Sequence, residues 1–178
     1  MDFYLSGGLK WLLGGTGIVE LYVRPALVAG LEPTVTGWFG HERQFAFDPA
    51  SFSYAPDARR FEIGTPALAA VYAAHAGMQI ILGHGVTAIR QRQLRLVADL
   101  VGRLREIGCS LTMIDDPAQH AGIVMIRNDR HAQIVTELAD QRIIVDHRPG
   151  HVRVSPFFYN TEEENAILAA QMRAYADR

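Results

Sequence analysis

The chain has 178 residues, of which 49% are hydrophobic and 20% charged, and its formal net charge is −2. This composition indicates a folded globular protein rather than a disordered segment. The balanced charge gives no reason to expect a nucleic-acid or anionic-membrane surface, and no stretch of about 18 apolar residues predicts a membrane span. The single cysteine, Cys109, excludes an internal disulfide and fits a cytoplasmic protein.

The chain opens on residues that are typical of the interior of a domain. Residues 1–5 predict a strand that begins abruptly, without the basic start of a signal peptide, so we expect further sequence upstream. Glycine turns follow at residues 6–8 and 14–17, with Lys10 between them. The β-branched and apolar segment 18–23 predicts a second strand.

A long segment without clear periodicity, residues 26–64, comes next, and such a segment in a compact domain is usually functional. Thr65 as N-cap and Pro66 at the first helical position predict a helix over residues 67–82. Its apolar residues on most faces indicate that this helix is largely buried. Residues 86–107 predict a second helix, which is amphipathic.

From about residue 110 the pattern changes to short strands and helices, which indicates a small α/β domain. We expect strands over 110–114, 123–127, 143–146 and 151–155, a helix over 131–141, and a last helix from residue 160. Thr161, with Glu164 three residues later, forms a capping box that begins this last helix.

Lys10 is a candidate for covalent chemistry. It is the only lysine, since all sixteen other Lys and Arg residues are arginines. A lysine in apolar surroundings, here beside Trp11 and two leucines, loses its proton more readily, and a neutral amine can form a Schiff base with an aldehyde. The alternative is an ordinary surface lysine.

Arg153, at the end of the strand predicted over 151–155, is a candidate for binding a carboxylate through two parallel hydrogen bonds. The alternative is a structural ion pair, and Arg148 is a weaker candidate for the same role.

Trp38 and His41 lie together in the irregular segment, where the indole N–H can donate to a phosphate and the imidazole can donate or move a proton. The alternative is an aromatic cluster that packs the loop.

Thr65 has two interpretations as well, since a helix N-cap is also a place where a phosphate binds. No metal site is expected. His147 and His151 are four residues apart, but a Pro-Gly turn separates them, so they do not share a helix face.

These segments together resemble the class V aminotransferase and kynureninase superfamily of fold-type-I pyridoxal-phosphate (PLP) enzymes. The lysine turn at residues 2–10, the Gly-Gly-Thr-Gly turn at 14–17 and the strand at 18–23 follow that family's order. The residues Gly-Trp-Phe-Gly-His at 37–41 match a kynureninase motif at every position. Residues 153–163 look like the carboxylate-binding arginine segment of class V proteins, and the resemblance covers essentially the whole chain.

The resemblance implies an α/β fold in three parts. Residues 1–85 would be the C-terminal part of the PLP-binding large domain with its active-site loop. Residues 86–109 would be a long connecting helix, and residues 110–178 a small C-terminal α/β domain.

The resemblance also implies roles for individual residues. Lys10 would form the Schiff base with PLP and move protons at the α-carbon of an amino-acid substrate. Arg153 would bind the substrate α-carboxylate. Trp38 and Thr65 would lie at the cofactor phosphate or the substrate pocket, and His41 would belong to the same loop. Because family members often share such residues across a dimer interface, a homodimer is expected.

Two departures leave the reaction open between kynureninase-like hydrolytic C–C cleavage and a related class V lyase or aminotransferase reaction. Leu9 stands where kynureninases usually have a tyrosine, and the arginine segment differs from theirs. Cys109 lies well before that segment, which disfavours a cysteine desulfurase. The chain also lacks the upstream part that supplies the aspartate for the pyridine nitrogen. A non-catalytic remnant, a scaffold or dimerisation module, and the C-terminal half of a split enzyme are the alternatives.

Overall fold

The computed structural model describes residues 1–176, which fall into two compact units, residues 1–83 and 84–176. The helix expected to connect two domains lies within the second unit. Among the described residues, no helix is both long and apolar enough to cross a membrane.

The N-terminal unit contains one two-stranded antiparallel sheet, in which Phe3 lies opposite Val23 and Gly7 opposite Val19. Its elements in chain order are β1 (Phe3–Gly7), β2 (Val19–Val23), α1 (Pro25–Val28), two short 3-10 helices (Trp38–Gly40 and Ala58–Phe61) and α2 (Leu68–His84). The segment between α1 and α2 is otherwise irregular, as its lack of periodicity predicts.

Helix α2 is buried on one side. Its buried residues are small or aliphatic and are spaced three or four apart: Ala70, Ala74, Gly77 and Ile81. Several large apolar residues of the helix are exposed: Leu68, Tyr72, Ile80 and Leu82. The prediction that this helix is largely buried is therefore wrong. Apolar residues on all sides of a helix do not show how many of those sides pack against the rest of the chain.

The start of α2 also differs from the prediction. The helix begins at Leu68, and the carbonyl of Ala67 accepts hydrogen bonds from the N–H groups of Ala70 and Val71 at 2.8 and 3.1 Å. Ala67 therefore occupies the N-cap position, and the prediction that Thr65 caps this helix is wrong. A Thr-Pro pair signals that a helix is near, but it does not fix the residue at which the hydrogen bonds begin.

The C-terminal unit is a four-stranded antiparallel sheet with three helices. Its elements are α3 (Val86–Glu106), β3 (Leu111–Thr112), β4 (Val124–Arg127), α4 (His131–Asp140), β5 (Asp146–Arg148), β6 (His151–Val154), α5 (Glu162–Met172) and a short 3-10 helix (Arg173–Tyr175). The strand order across the sheet is β3-β4-β6-β5.

One hydrophobic core holds this unit together. Side chains from α3, α4 and α5 pack with the inward-facing side chains of β4 and β6, and the fully buried members are Leu100, Leu104, Val124, Ile134, Leu138, Val152 and Met172. Alternate residues of β6 face the core, because successive side chains of a strand point to opposite faces. Arg153 lies between the buried Val152 and Val154 and so points away from this core.

The start of α5 confirms the predicted capping box. The Thr161 hydroxyl accepts the Glu164 N–H at 3.2 Å, and the Glu164 carboxylate accepts the Thr161 N–H at 2.9 Å. The strand predicted over 143–146 is misplaced, because β5 covers residues Asp146–Arg148 instead. A tight turn at Pro149 and Gly150, where Gly150 has φ +72°, sets the register with β6 and moves the pairing toward the turn.

Candidate active site

Lys10 lies in the connection between β1 and β2. The Leu13 N–H donates to the Lys10 carbonyl at 3.0 Å, and the Gly14 N–H donates to the Gly8 carbonyl at 2.8 Å, so the backbone of this connection is fixed. The Lys10 side chain is exposed, and within residues 1–176 its amine makes no hydrogen bond or ion pair. The apolar surroundings predicted for this lysine are therefore not formed by the described residues. An amine without a partner is free to react with a carbonyl compound once it has lost its proton.

The lysine turn rests on the small-residue side of α2. A Cβ added at Gly77 would lie 2.4 Å from the Leu12 carbonyl oxygen and 2.6 Å from the Leu13 carbonyl carbon. Only a glycine allows the helix backbone to approach the turn so closely. Leu13 itself has φ +56°, in the left-handed region that a leucine rarely adopts. The position of the lysine therefore depends on this close contact with α2.

A carboxylate without a partner lies beside the same turn. Both carboxylate oxygens of Glu20, on β2, are buried and have no hydrogen-bond partner among the described residues. One of them lies 3.4 Å from the place where a Cβ on Gly8 would stand, and a Cβ there would also touch Ala74 of α2 at 3.9 Å. A glutamate within a predicted strand is expected to face solvent, so the sequence does not indicate that the Glu20 carboxylate is buried.

Trp38 begins the first 3-10 helix and lies within an aromatic cluster. Its ring centroid lies 4.6, 5.8 and 6.2 Å from those of Phe39, Phe45 and Phe47. The indole is partly exposed, and its nitrogen lies 3.7 Å from the place where a Cβ on Gly64 would stand. The structure therefore brings the indole N–H to the segment that carries Thr65.

His41 follows the same 3-10 helix and is buried. Its Nδ1 accepts the Arg43 N–H at 2.8 Å, and its ring meets the Phe52 ring edge-on at 5.0 Å. A nitrogen that accepts a hydrogen bond carries no proton, so the ring proton is assigned to Nε2. His41 can therefore donate a hydrogen bond through Nε2, while Nδ1 is already engaged.

A cavity of about 310 Å³ lies beside this loop, and Trp38 and His41 are among the residues that line it. Asp48 also lines it. A hydrogen bond from the Ser51 hydroxyl and another from the Ala50 N–H hold the pKa of the Asp48 carboxyl below its usual range. The residues that line the cavity thus include aromatic rings, a carboxylate with a lowered pKa and an imidazole.

Thr65 is exposed and lies three residues before α2. Its hydroxyl makes no hydrogen bond within residues 1–176. Both the threonine hydroxyl and the nearby Trp38 indole N–H can donate to an anion.

Arg153 belongs to the C-terminal unit. It is half-buried, and it lines a groove of about 540 Å³ formed by the end of β6, the segment before β5 and the first turns of α5. Within residues 1–176 its guanidinium makes no hydrogen bond or ion pair, although Asp146 lies opposite it in the sheet. Asp146 instead accepts a hydrogen bond from Arg148 at 2.5 Å, and this bond is the main cause of the lowered pKa of Asp146. The ion pair of this region therefore belongs to Arg148, the weaker candidate for binding a carboxylate.

Arg60 is a buried charged residue that the sequence does not reveal. Its guanidinium donates to four backbone carbonyl oxygens in the N-terminal unit. Arg59 and Arg60 are adjacent and alike in the sequence, yet Arg59 is exposed and pairs with Asp57. The burial and the partners of the two arginines therefore differ only because of their positions in the folded chain.

Within the part of the chain that the structure describes, no three His, Cys, Asp or Glu side chains are arranged to hold a metal ion. His131 and His147 do stack, with ring centroids 4.9 Å apart.

Comparison with known proteins gives a family match over nearly the whole sequence. The sequence model of the family described as Aminotransferase class-V matches residues 1–177. The aminotransferase YcbU of Bacillus subtilis (strain 168), itself described as uncharacterized, is 38% identical over 164 residues, which are 92% of this chain and 43% of that protein. A kynureninase of Geobacillus thermodenitrificans is 28% identical over 97% of this chain and 42% of its own length.

The fold has a solved counterpart. The apo structure of a cysteine desulfurase from Thermococcus onnurineus NA1 matches with a TM-score of 0.86 and 25% sequence identity, over 97% of this chain and 46% of that one. The chain thus spans less than half the length of each of these three proteins.

Proposed function

Because the chain belongs to the class-V aminotransferase family, whose kynureninases and desulfurases depend on PLP, we propose that it carries the lysine half of a PLP site and acts on an amino acid. The predicted fold class, part of a PLP-enzyme large domain with a small α/β domain, is confirmed by the likeness to the solved desulfurase. The observation that carries the proposal is the amine of Lys10, the only lysine, exposed on a fixed turn without a partner among the described residues.

The described residues include suitable partners for two groups of the cofactor, its aldehyde and its phosphate. The free Lys10 amine suits its aldehyde, and the Trp38 indole N–H and Thr65 hydroxyl suit its phosphate. The fit rests on the 3.7 Å approach of the indole nitrogen to the Cβ position of Gly64, the residue before Thr65. When bound, PLP draws electrons from the α-carbon of an amino acid and so supplies the driving force for breaking a bond there.

The chain's own residues would divide the remaining work. Lys10 would hold the cofactor covalently and then move a proton at the substrate α-carbon. Arg153 would bind the substrate α-carboxylate, since its guanidinium makes no hydrogen bond or ion pair among the described residues and the residue lines a groove. His41 would donate through Nε2 to an acceptor on the substrate side chain.

For the reaction we propose hydrolytic C–C cleavage of a kynurenine-like amino acid. The Gly-Trp-Phe-Gly-His motif at 37–41 and the aromatic cavity that Trp38 and His41 line support this reaction. Transamination is the second candidate, because the 38% identical relative is named an aminotransferase. Hydrolytic cleavage of kynurenine releases anthranilate, whereas transamination does not. The fluorescence of anthranilate therefore distinguishes the two reactions.

The cofactor proposal is tested by reductive labelling. The purified 178-residue chain is mixed with PLP, reduced with borohydride and mapped by mass spectrometry. The Lys10→Arg variant is the matched control, since it keeps the charge and leaves the N-terminal amine as the only amine. Pyridoxal, which lacks the phosphate, is tested in parallel. We expect a single pyridoxyl group on Lys10, formed in preference to the N-terminal adduct, and weaker labelling with pyridoxal.

Equal labelling of Lys10 and the N-terminal amine, or no adduct, would overturn the proposal for this chain. Absence of an adduct would favour a non-catalytic scaffold or remnant. An adduct that forms only after a separate N-terminal polypeptide is added would identify one half of a split enzyme. A homodimer and a cytoplasmic location belong to the same proposal, and light scattering of the purified chain tests the first.

A further inference from the structure

Arg60 is a buried cation that four backbone carbonyls surround. Its Nε donates to the Ala55 carbonyl at 2.9 Å. Its Nη1 lies within hydrogen-bond distance of the carbonyl oxygens of Val28, Ala29 and Leu31, at 2.6, 3.3 and 2.9 Å. The residue is 7% exposed, so these acceptors are largely shielded from water.

Arg60 has no counter-ion among the described residues, since it forms no ion pair within residues 1–176. Its guanidinium carbon lies 5.6 Å from the centroid of the Tyr54 ring. A buried cation without a counter-ion is unfavourable unless dipoles replace its water. The carbonyl oxygens supply those dipoles here, and two of them belong to Val28, the last residue of α1, and to Ala29, its C-cap.

The carbonyls that Arg60 binds belong to two segments that are far apart in the sequence. Residues 28–31 precede the irregular loop, and residues 55–60 close it. The loop between them, residues 32–54, carries Trp38 and His41. Arg60 therefore joins the two ends of the loop that holds both candidate site residues.

The Arg60 backbone is also tied to the middle of that loop. A Cβ added at Gly40 would lie 2.8 Å from the Arg60 carbonyl oxygen, and the Ala55 N–H donates to the Gly40 carbonyl at 2.8 Å. His41, the next residue, forms an isolated antiparallel bridge with Tyr54. A shift of the Arg60 segment would therefore move the residue that precedes His41.

We propose that Arg60 is a positioning residue, which closes the base of loop 32–54 through backbone carbonyls and so fixes where Trp38 and His41 lie. The functional meaning of this position rests on the proposed function, but the structural effect does not require bound PLP. Arginine is needed because its planar fork presents several donors in fixed directions, whereas a lysine amine is a single point charge.

The test compares two adjacent arginines. Arg60→Met keeps the length of the side chain and removes every donor, while Arg59→Met removes an exposed arginine of the same turn. Arg60→Lys keeps the charge and is the conservative variant. Hydrogen–deuterium exchange followed by mass spectrometry reports the amides of Glu42, Arg43 and Ala55, which are hydrogen-bonded within the loop. Tryptophan emission in a Trp11→Phe background reports Trp38 alone.

We expect exchange of the three loop amides to be at least tenfold faster in Arg60→Met, with a red-shifted Trp38 emission. We expect the wild-type pattern in Arg59→Met and partial recovery in Arg60→Lys. Amides of β4 and β6 in the C-terminal unit should exchange at the wild-type rate in all variants.

Unchanged loop exchange in Arg60→Met would overturn the proposal, and so would faster exchange throughout both units, which would mean a general loss of folding. Full recovery by Arg60→Lys would also count against it, since the fork would then be unnecessary. Reductive labelling of Lys10 in the same variants is a separate readout. A failure to label wild-type Lys10 would refute the cofactor proposal and leave the exchange result valid.

Discussion

Replacing Gly77 by alanine should destabilise the N-terminal unit, although alanine is the better helix former. In an exposed helix the change from glycine to alanine stabilises by up to about 1 kcal/mol. At Gly77 the added Cβ would lie 2.4 Å from the Leu12 carbonyl oxygen, where ordinary contact begins at 3.4 Å. The lysine turn must therefore move by roughly 1 Å, and overpacking of this kind costs about 1–3 kcal/mol.

Gly83 in the same helix is the matched control, because a Cβ added there would meet nothing within 4 Å. Both variants replace a glycine of α2 by alanine, and only Gly77→Ala adds a close contact, so we expect Gly77→Ala to be the less stable by about 1–3 kcal/mol. Both tryptophans, Trp11 and Trp38, lie in the N-terminal unit, so urea unfolding followed by tryptophan fluorescence reports on that unit. A Gly77→Ala chain as stable as Gly83→Ala would refute the close packing of the turn on α2.

Three further predictions concern the C-terminal unit. Asn165→Ala should lower its stability by about 1–3 kcal/mol in urea unfolding followed by circular dichroism, because the buried amide donates to the Leu96 carbonyl and the Asp99 carboxylate at 2.9 and 3.0 Å. Hydrogen bonds from Arg103 and then Asn165 lower the pKa of Asp99, so its contribution is present above the ordinary carboxyl pKa and is lost as the pH falls through the folded value. Asp99→Asn should therefore reduce the loss of stability on acidification below about pH 5, and an unchanged pH profile would refute the assignment. Arg153→Gln should weaken amino-acid binding to the PLP-loaded chain about tenfold or more, measured by the change in cofactor absorbance, while the already paired Arg148→Gln should not.

The features that the sequence predicts well depend on neighbours along the chain. The capping box of Thr161 and Glu164 needs only a spacing of three residues, and the structure confirms it. The amphipathic helix predicted over 86–107 is observed as α3, Val86–Glu106, because its apolar positions repeat at the helical period. The spacing of the apolar residues indicates which side of a helix or strand is buried, and α3 has one clear apolar side.

The features that were mispredicted or missed depend on contacts that are remote in sequence. The burial of α2 could not be predicted, because its apolar residues surround the helix and give no preferred side. The shift of β5 to Asp146–Arg148 follows from the Pro149–Gly150 turn and its pairing with β6, not from local propensity. Three of the four carbonyls that distinguish Arg60 from Arg59 lie about 30 residues away in the sequence, so no local motif marks it.

The free guanidinium of Arg153 supports its proposed role independently of the family resemblance. Arg153 is half-buried, and a partly desolvated cation without a partner is unfavourable. Comparable cations of this unit are compensated: Arg103 binds Asp99, and Arg92 binds Glu162. Arg153 makes no hydrogen bond or ion pair within the described residues; Asp146 faces it across the sheet and attracts it electrostatically, but the Asp146 carboxylate binds Arg148. A ligand carboxylate in the groove would supply the missing partner, and this is the property that a substrate-binding arginine requires.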